Sequence, residues 1–299
     1  MTAVASSSPR LQARSLCRLA ETDAHEGPVY VAAENALYFT TVRTDRVAIK
    51  RLALADGTVS VVRSDANMAN GMALDCEGRL VVCEQGTRDD PARISRFDPS
   101  AGLVETLVVA ANGLPLNSPN DVAVRSDGTI WFTDPSYGSL QGFRPLPRTL
   151  DRVYRFDPSA WELSVVSESF DKPNGLAFSP DEQVLYVGDS GAIQAPGDYD
   201  PARPRRVVAL ELDGAQVVGE RVLVAEVPGF PDGLKVDREG RVYVSCSDGV
   251  LVFAGDGRQL GEIRLPGAVN FTFGGRGRDV LFITTDDAVW SASLTAKGA

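Results

Sequence analysis

One phrase recurs along this chain, and the recurrence constrains the fold more than any other feature. It reads Asn70-Gly-Met-Ala-Leu-Asp-Cys-Glu-Gly-Arg-Leu-Val-Val, then Asn120-Asp-Val-Ala-Val-Arg-Ser-Asp-Gly-Thr-Ile-Trp-Phe. Asn174-Gly-Leu-Ala-Phe-Ser-Pro-Asp-Glu-Gln-Val-Leu-Tyr and Asp232-Gly-Leu-Lys-Val-Asp-Arg-Glu-Gly-Arg-Val-Tyr-Val follow. Asn270-Phe-Thr-Phe-Gly-Gly is a degenerate copy, and Glu26-Gly-Pro-Val-Tyr-Val opens the series. Each phrase holds two β-rich runs around an Asp-Gly, Glu-Gly or Pro-Asp-Glu turn, which is hairpin chemistry. Further alternating runs, such as Val153-Tyr-Arg-Phe and Val207-Val-Ala-Leu, lie between the phrases. Repeats of roughly 40–60 residues with three or four short strands each predict propeller blades. Six repeats without an amphipathic helix predict an all-β, six-bladed β-propeller. A closed ring also removes long exposed sheet edges. The last blade lacks an outer strand after Trp290, and the stretch Ser15–Ala20 is the segment expected to supply it.

Composition agrees. A length of 299 residues would suit two α/β domains, but the repeat across 26–290 overrides that default. Residues 1–14 are small and polar, with no signal-peptide core, and read as a disordered lead-in to a single domain over 15–299. A net charge of −10 argues against a nucleic-acid partner. No run approaches the ~18 apolar residues of a membrane span. Cys17, Cys76, Cys83 and Cys246 show no framework spacing, so reduced thiols in a cytoplasmic protein are expected.

The chemistry must then rest on oxygen. The single histidine, His25, is the one base available to a catalytic triad, and no Gly-x-Ser-x-Gly elbow accompanies it. There is no Walker loop, and a His-rich zinc site is excluded. The phrase openers, however, are all Asn, Asp or Glu. On the innermost strands of a propeller they would converge on the axis. Glu26, Asn120, Asn174 and Asp232 then offer two carboxylates and two amide oxygens, a set suited to one hard divalent ion. Calcium comes first, with magnesium, manganese or zinc as alternatives. Turn chemistry is the competing reading, because Asn and Asp before Gly tolerate left-handed backbone. On either reading Asn70 and Asn270 are expected to line the channel without touching the ion.

These residues sit in longer motifs. They are Glu26-Gly-Pro, Leu116-Asn-Ser-Pro-Asn-Asp-Val, Trp131-Phe-Thr-Asp-Pro-Ser-Tyr-Gly, Lys172-Pro-Asn-Gly-Leu-Ala-Phe-Ser-Pro-Asp-Glu and Pro231-Asp-Gly. Val82-Cys-Glu-Gln-Gly-Thr-Arg and Phe271-Thr-Phe-Gly-Gly are weaker matches. With them the chain, from about Ala20 to Trp290, resembles the gluconolactonase/regucalcin (senescence marker protein) family of metal-dependent lactonases, its bacterial gluconolactonases above all. The resemblance implies a catalytic divalent ion in the central channel, with ligands at Glu26, Asn174 and Asp232, and Asn120 touching metal or substrate. Two departures concern the sugar. Ser118 stands where regucalcin-like members carry an arginine, and Glu84-Gln85-Gly86 stands where gluconolactonase-like members often have a histidine.

The reaction implied is hydrolysis of a sugar lactone, of the gluconolactone type, to its aldonic acid. The resemblance points to Asp232 as the base that takes the water proton. A carboxylate on a dication is a weakened base, however, so Asp121 is the alternative. It occupies the second phrase position, where most copies carry Gly. Asp134 and Asp189, each ending a hairpin's second run, are further acids near the channel mouth. The excursions Tyr137–Leu150 and 194–206 break the repeat and are expected to form lids, with Tyr137, Asn120 and Arg88 as substrate contacts. Other classes remain open at this stage. One is hydrolysis of another ester, such as an organophosphate triester, on the same metal. The other is a non-catalytic binding propeller.

Overall fold

The computed structural model describes residues 13–42 and 46–299. It contains six four-stranded antiparallel sheets arranged as the blades of a propeller. Blade 1 runs through Val29–Val31, Ala36–Thr40, Ile49–Ala53 and Val59–Arg63; blade 2 through Ala69–Leu74, Leu80–Glu84, Arg93–Asp98 and Leu103–Val108. Blade 3 comprises Val122–Val124, Ile130–Asp134, Arg152–Asp157 and Glu162–Ser167, and blade 4 Pro173–Phe178, Val184–Asp189, Arg206–Asp213 and Gln216–Val224. Blade 5 is Leu234–Val236, Val242–Cys246, Gly249–Phe253 and Gln259–Arg264. Blade 6 takes Ala268–Gly274, Val280–Thr285 and Ala288–Ser293, and is completed by the N-terminal strand Ser15–Glu21.

That last pairing closes the ring. Ser15 lies opposite Ser293 and Glu21 opposite Ala288, with one irregularity between Arg18 and Ala20. The tie begins earlier than expected, because the Arg14 N–H already donates to the Ser293 carbonyl at 2.8 Å. Residues 1–12 of the expected lead-in lie outside the described residues.

The phrases form the inner hairpins as their turn residues dictate. In blade 2, Asp75 Oδ1 accepts the N–H groups of Glu77 and Arg79 at 3.0 and 2.9 Å, and Gly78 takes the left-handed backbone (φ +81°) that closes the turn. The second strand of each blade is buried on both faces, from Ala36–Thr40 to Val280–Thr285. Its side chains are therefore nearly continuously apolar rather than alternating. The core is a ring of interblade clusters. Cys83, Ile94, Phe132 and Phe156 fill one, Trp131, Val153, Leu185 and Leu210 the next, and Leu37, Phe39, Phe282 and Val289 span the closing seam. Each buried side chain of this size stabilises the fold by about 1.5–3 kcal/mol, so the rigid hub follows from the blades packing on one another. The four cysteines are free. Among the described residues no helix is long and apolar enough to cross a membrane.

Candidate functional site

A glycine follows four of the six openers and bears on how the inner strands come together. Gly27 takes a left-handed backbone (φ +57°), but turn chemistry does not account for the other three: Gly71, Gly175 and Gly233 lie outside the positive-φ region. What they permit is contact. A Cβ on Gly71 would stand 2.6 Å from the Asn120 carbonyl oxygen, and one on Gly175 only 2.2 Å from that of Asp232. The Gly71 and Gly175 N–H groups donate to those same carbonyls at 2.8 and 3.1 Å. Blades 2 and 4 thus hand a backbone bond to the opener of the next blade, and the Gly233 N–H donates to Val269 beside the opener Asn270, which draws these strands together at the axis.

The result is a cavity of about 400 Å³ at one mouth of the channel, lined by Glu26, Asn70, Asn120, Asn174 and Asp232. Its size suits a small ligand. Oxygens in it lack partners. The Oδ1 atoms of Asn70 and Asn120 are buried without a hydrogen bond. Glu26 is 3% exposed, and its Oε2 accepts from Gly27 N–H at 3.0 Å and Asn270 Nδ2 at 2.6 Å, both bonds leaving Oε1 aside. Burial, and then the Glu26 charge, push the Asp232 carboxyl well above its usual range. Two acids and unsatisfied amide oxygens facing one space form a donor set short of a cation, and a divalent ion fits it. Among the described residues no group of three His, Cys, Asp or Glu could hold a metal. Any ion here therefore relies on the amide oxygens as well as the two carboxylates.

Asp121 is placed differently. It is 1% exposed and does not line this cavity. Its Oδ1 accepts the Val122 N–H at 2.9 Å, and its partnerless Oδ2 lies 3.8 Å from Lys235 Nζ. Lys235 in turn lines a second cavity, of about 410 Å³, bounded by the other ends of the inner strands. Burial pushes the Asp121 carboxyl up to about 6, against the pull of Lys235. Asp121 thus stands under the floor of the first cavity rather than on its wall.

Asp134 and Asp189 brace the backbone leading into two openers. Asp134 accepts the N–H groups of Asn117 and Ser118 at 2.9 and 2.8 Å; Asp189 accepts those of Asp171 and Lys172 at 3.1 and 3.0 Å. Burial drives Asp134 up to about 7. Neither lines the cavity.

The two excursions do form its rim. Tyr137 and Gln141 come from the first, where Tyr137–Leu140 makes a single helical turn. Ile193, Ala195 and Pro196 come from the second and the strand before it. Tyr137, one of the expected substrate contacts, is buried at this rim. Arg88 is not: it is exposed, and its guanidinium donates to the Gly142 carbonyl at 3.2 and 2.9 Å, pinning the first excursion. Arg144 does the same from within, donating to the carbonyls of Thr87, Asp90, Leu116 and Asn117. Ser118 bonds the Pro135 carbonyl and the Gly138 N–H, and Glu84 is held by Arg63, Arg93 and Ser95. Of the two departures, only Gln85 reaches the cavity wall.

Sequence reasoning passed over His25 as a wall residue. It lines the cavity beside Glu26, and its Nδ1 lies 2.7 Å from Asp286 Oδ1. Its adjacency to an opener was the available signal. Met68 and Phe230 complete an apolar side that no motif announced.

Comparison with known proteins agrees with this geometry. The chain is 31% identical over 291 residues to a gluconolactonase of Zymomonas mobilis, covering 88% of this chain and 76% of that protein. A 6-deoxy-6-sulfogluconolactonase of Pseudomonas putida is 28% identical over 271 residues, covering 87% and 82%. The solved structure of a gluconolactonase from Xanthomonas campestris superposes with a TM-score of 0.81 at 33% identity, over 97% of this chain and 99% of the other. Residues 24–287 match the region described as SMP-30/Gluconolactonase/LRE-like, and the chain belongs to that family.

Proposed function

We propose that this chain hydrolyses a sugar lactone of the aldonolactone type to the open acid, using one divalent ion held by Glu26, Asn120, Asn174 and Asp232. The observation that carries the reading is the convergence of these side chains, with unsatisfied oxygens, on one cavity of substrate size. The names of the three relatives given above, each a gluconolactonase or sulfogluconolactonase, favour a lactone over a phosphotriester or a passive binding surface. The all-oxygen donor set favours calcium over magnesium or manganese, and these over zinc. The free thiols support a cytoplasmic location.

When bound, such an ion supplies Lewis-acid polarisation of the ester carbonyl and countercharge for the oxygen that becomes negative. The protein's own part is placement and proton transfer. Asn120 and Asn174 present neutral oxygens, so the site is not overloaded with negative charge. Asp232 stands in the cavity with a carboxylate able to take a proton from the attacking water. The ester C–O bond then breaks, and the ring oxygen takes up a proton as the chain opens. The Tyr137 hydroxyl and the amides of Gln85 and Gln141 are placed to meet sugar hydroxyls, while Met68, Val42, Val47 and Phe230 exclude water from the apolar side. Asp121, below the floor, is retained as the alternative base through an intervening water.

The test is acid release from a panel of aldonolactones, before and after chelation and on adding back calcium, magnesium, manganese or zinc. Metal-dependent turnover of at least one lactone is expected. Activity that survives complete chelation, or turnover of phosphotriesters alone, would overturn the proposal.

A further inference from the structure

Five blades supply the wall residues of the metal cavity, and among the described residues blade 6 supplies none. Its opener, Asn270, is 1% exposed and lies behind Glu26. Yet blade 6 touches the His25–Glu26 segment at several points. Asn270 Nδ2 donates to Glu26 Oε2 at 2.6 Å, Thr284 Oγ1 donates to the His25 carbonyl at 2.6 Å, and Asp286 holds the His25 ring.

We infer that Asn270 is a positioning residue for the metal site, holding Glu26 so that only Oε1 is presented to the ion. The inference rests on the metal reading above. The amide can serve only in this sense. Its Oδ1 accepts the Phe271 N–H at 2.7 Å, which leaves Nδ2 as the donor facing Glu26. Its rotamer is confined as well, since a Cβ on the neighbouring Gly233 would stand 2.2 Å from Oδ1. The backbone is braced by Thr284, whose Oγ1 accepts the Asn270 N–H at 3.3 Å and stands 3.0 Å from the Asn270 carbonyl. Glu26 Oε2 therefore meets two donors, Gly27 N–H and Asn270 Nδ2. Both disfavour its swinging round to grip the ion with both oxygens. Asn270 does for Glu26 what a hydrogen-bonded partner does for any metal-ligating side chain: it sets orientation before the ion arrives. The degenerate phrase thus uses its Asn in this role, with Phe271 where four other copies have Gly.

The measurement is calorimetric titration of calcium chloride into chelator-treated, full-length protein, for the wild type, Asn270→Ala and Asn270→Ser. The serine is too short to reach Glu26 and serves if the alanine variant does not fold. Melting temperatures are recorded with and without calcium. We expect one calcium per wild-type chain and a Kd raised about 10–100-fold in the variants, with the calcium-induced rise in Tm correspondingly reduced. A purely structural role would lower the metal-free Tm and leave the Kd within twofold of wild type, and that result overturns the inference. Wild type binding no divalent ion at all would instead sink the metal reading itself, and the role of Asn270 with it.

Discussion

Replacing Asp121 by Asn should make the metal-free protein more stable, and increasingly so as pH rises. Asp121 is buried, its Oδ2 has no hydrogen bond, and Lys235 at 3.8 Å is too distant to pair with it closely. Burial lifts its pKa to about 6, while Lys235 opposes the shift and Glu26 adds to it. An acid whose pKa is raised by folding holds its proton more tightly in the folded chain than in the unfolded one. The fold therefore carries no penalty below the unfolded value of ~4, and loses stability as pH rises through the folded value near 6. A shift of roughly two units corresponds to about 3 kcal/mol at pH 7.5. Asn keeps the acceptor for the Val122 N–H and carries no charge at any pH, so the variant escapes this loss. For a chain of this size the gain is roughly 5–10 °C in Tm. The assay is thermal unfolding in chelator from pH 4.5 to 7.5, wild type against Asp121→Asn. The stability gap should open between pH 4.5 and 6.5 and then level off. A gap that is absent, or independent of pH, would refute the placement of a strained charge beneath the site. A carboxylate kept at that cost is a sign of function, since a dication above it would reverse its electrostatic balance.

Other outcomes follow from the same geometry. Glu26→Gln removes one of two negative charges from the donor set and should raise the calcium Kd at least ~100-fold, about 2.7 kcal/mol; unchanged affinity in calorimetry would contradict the assignment. Asp232→Asn should lower both metal affinity and lactone turnover, whereas Asp121→Asn should keep the metal, a split that metal analysis and kinetics on the two variants resolve. Gly175→Ala forces a Cβ against the Asp232 carbonyl and should cost about 1–3 kcal/mol in urea unfolding; a neutral effect would mean the hub is looser than described. Arg144→Ala frees the carbonyls of two loops and should raise the KM for lactone several-fold while leaving the calcium Kd unchanged.

Much of the hub was legible in the sequence because it is written in strand patterns. The hairpin turns at Asp75-Cys-Glu-Gly and Asp237-Arg-Glu-Gly carry their own local chemistry, and the missing outer strand of blade 6 could be inferred by counting. What lay hidden depends on contacts between distant segments. Gly71 and Gly175, each just after an opener, look like turn residues in one dimension; only the next blade's carbonyl reveals them as contact points. Arg88 looked like a sugar ligand, but the carbonyl that occupies it lies far along the chain, in an excursion whose path no periodicity describes. Asn270 is an opener and Asp121 stands one step after one, yet neither lines the cavity. Their contacts with Glu26 and Lys235 come from other blades, which a repeat does not specify.

The central claim is that one divalent ion sits among Glu26, Asn120, Asn174 and Asp232. Anomalous diffraction from crystals grown with manganese tests it most directly. The account predicts one strong peak per chain, within coordination distance of Glu26 Oε1, the amide oxygens of Asn120 and Asn174, and the Asp232 carboxylate. A peak confined to the opposite mouth beside Lys235, or no peak in active protein, would contradict it.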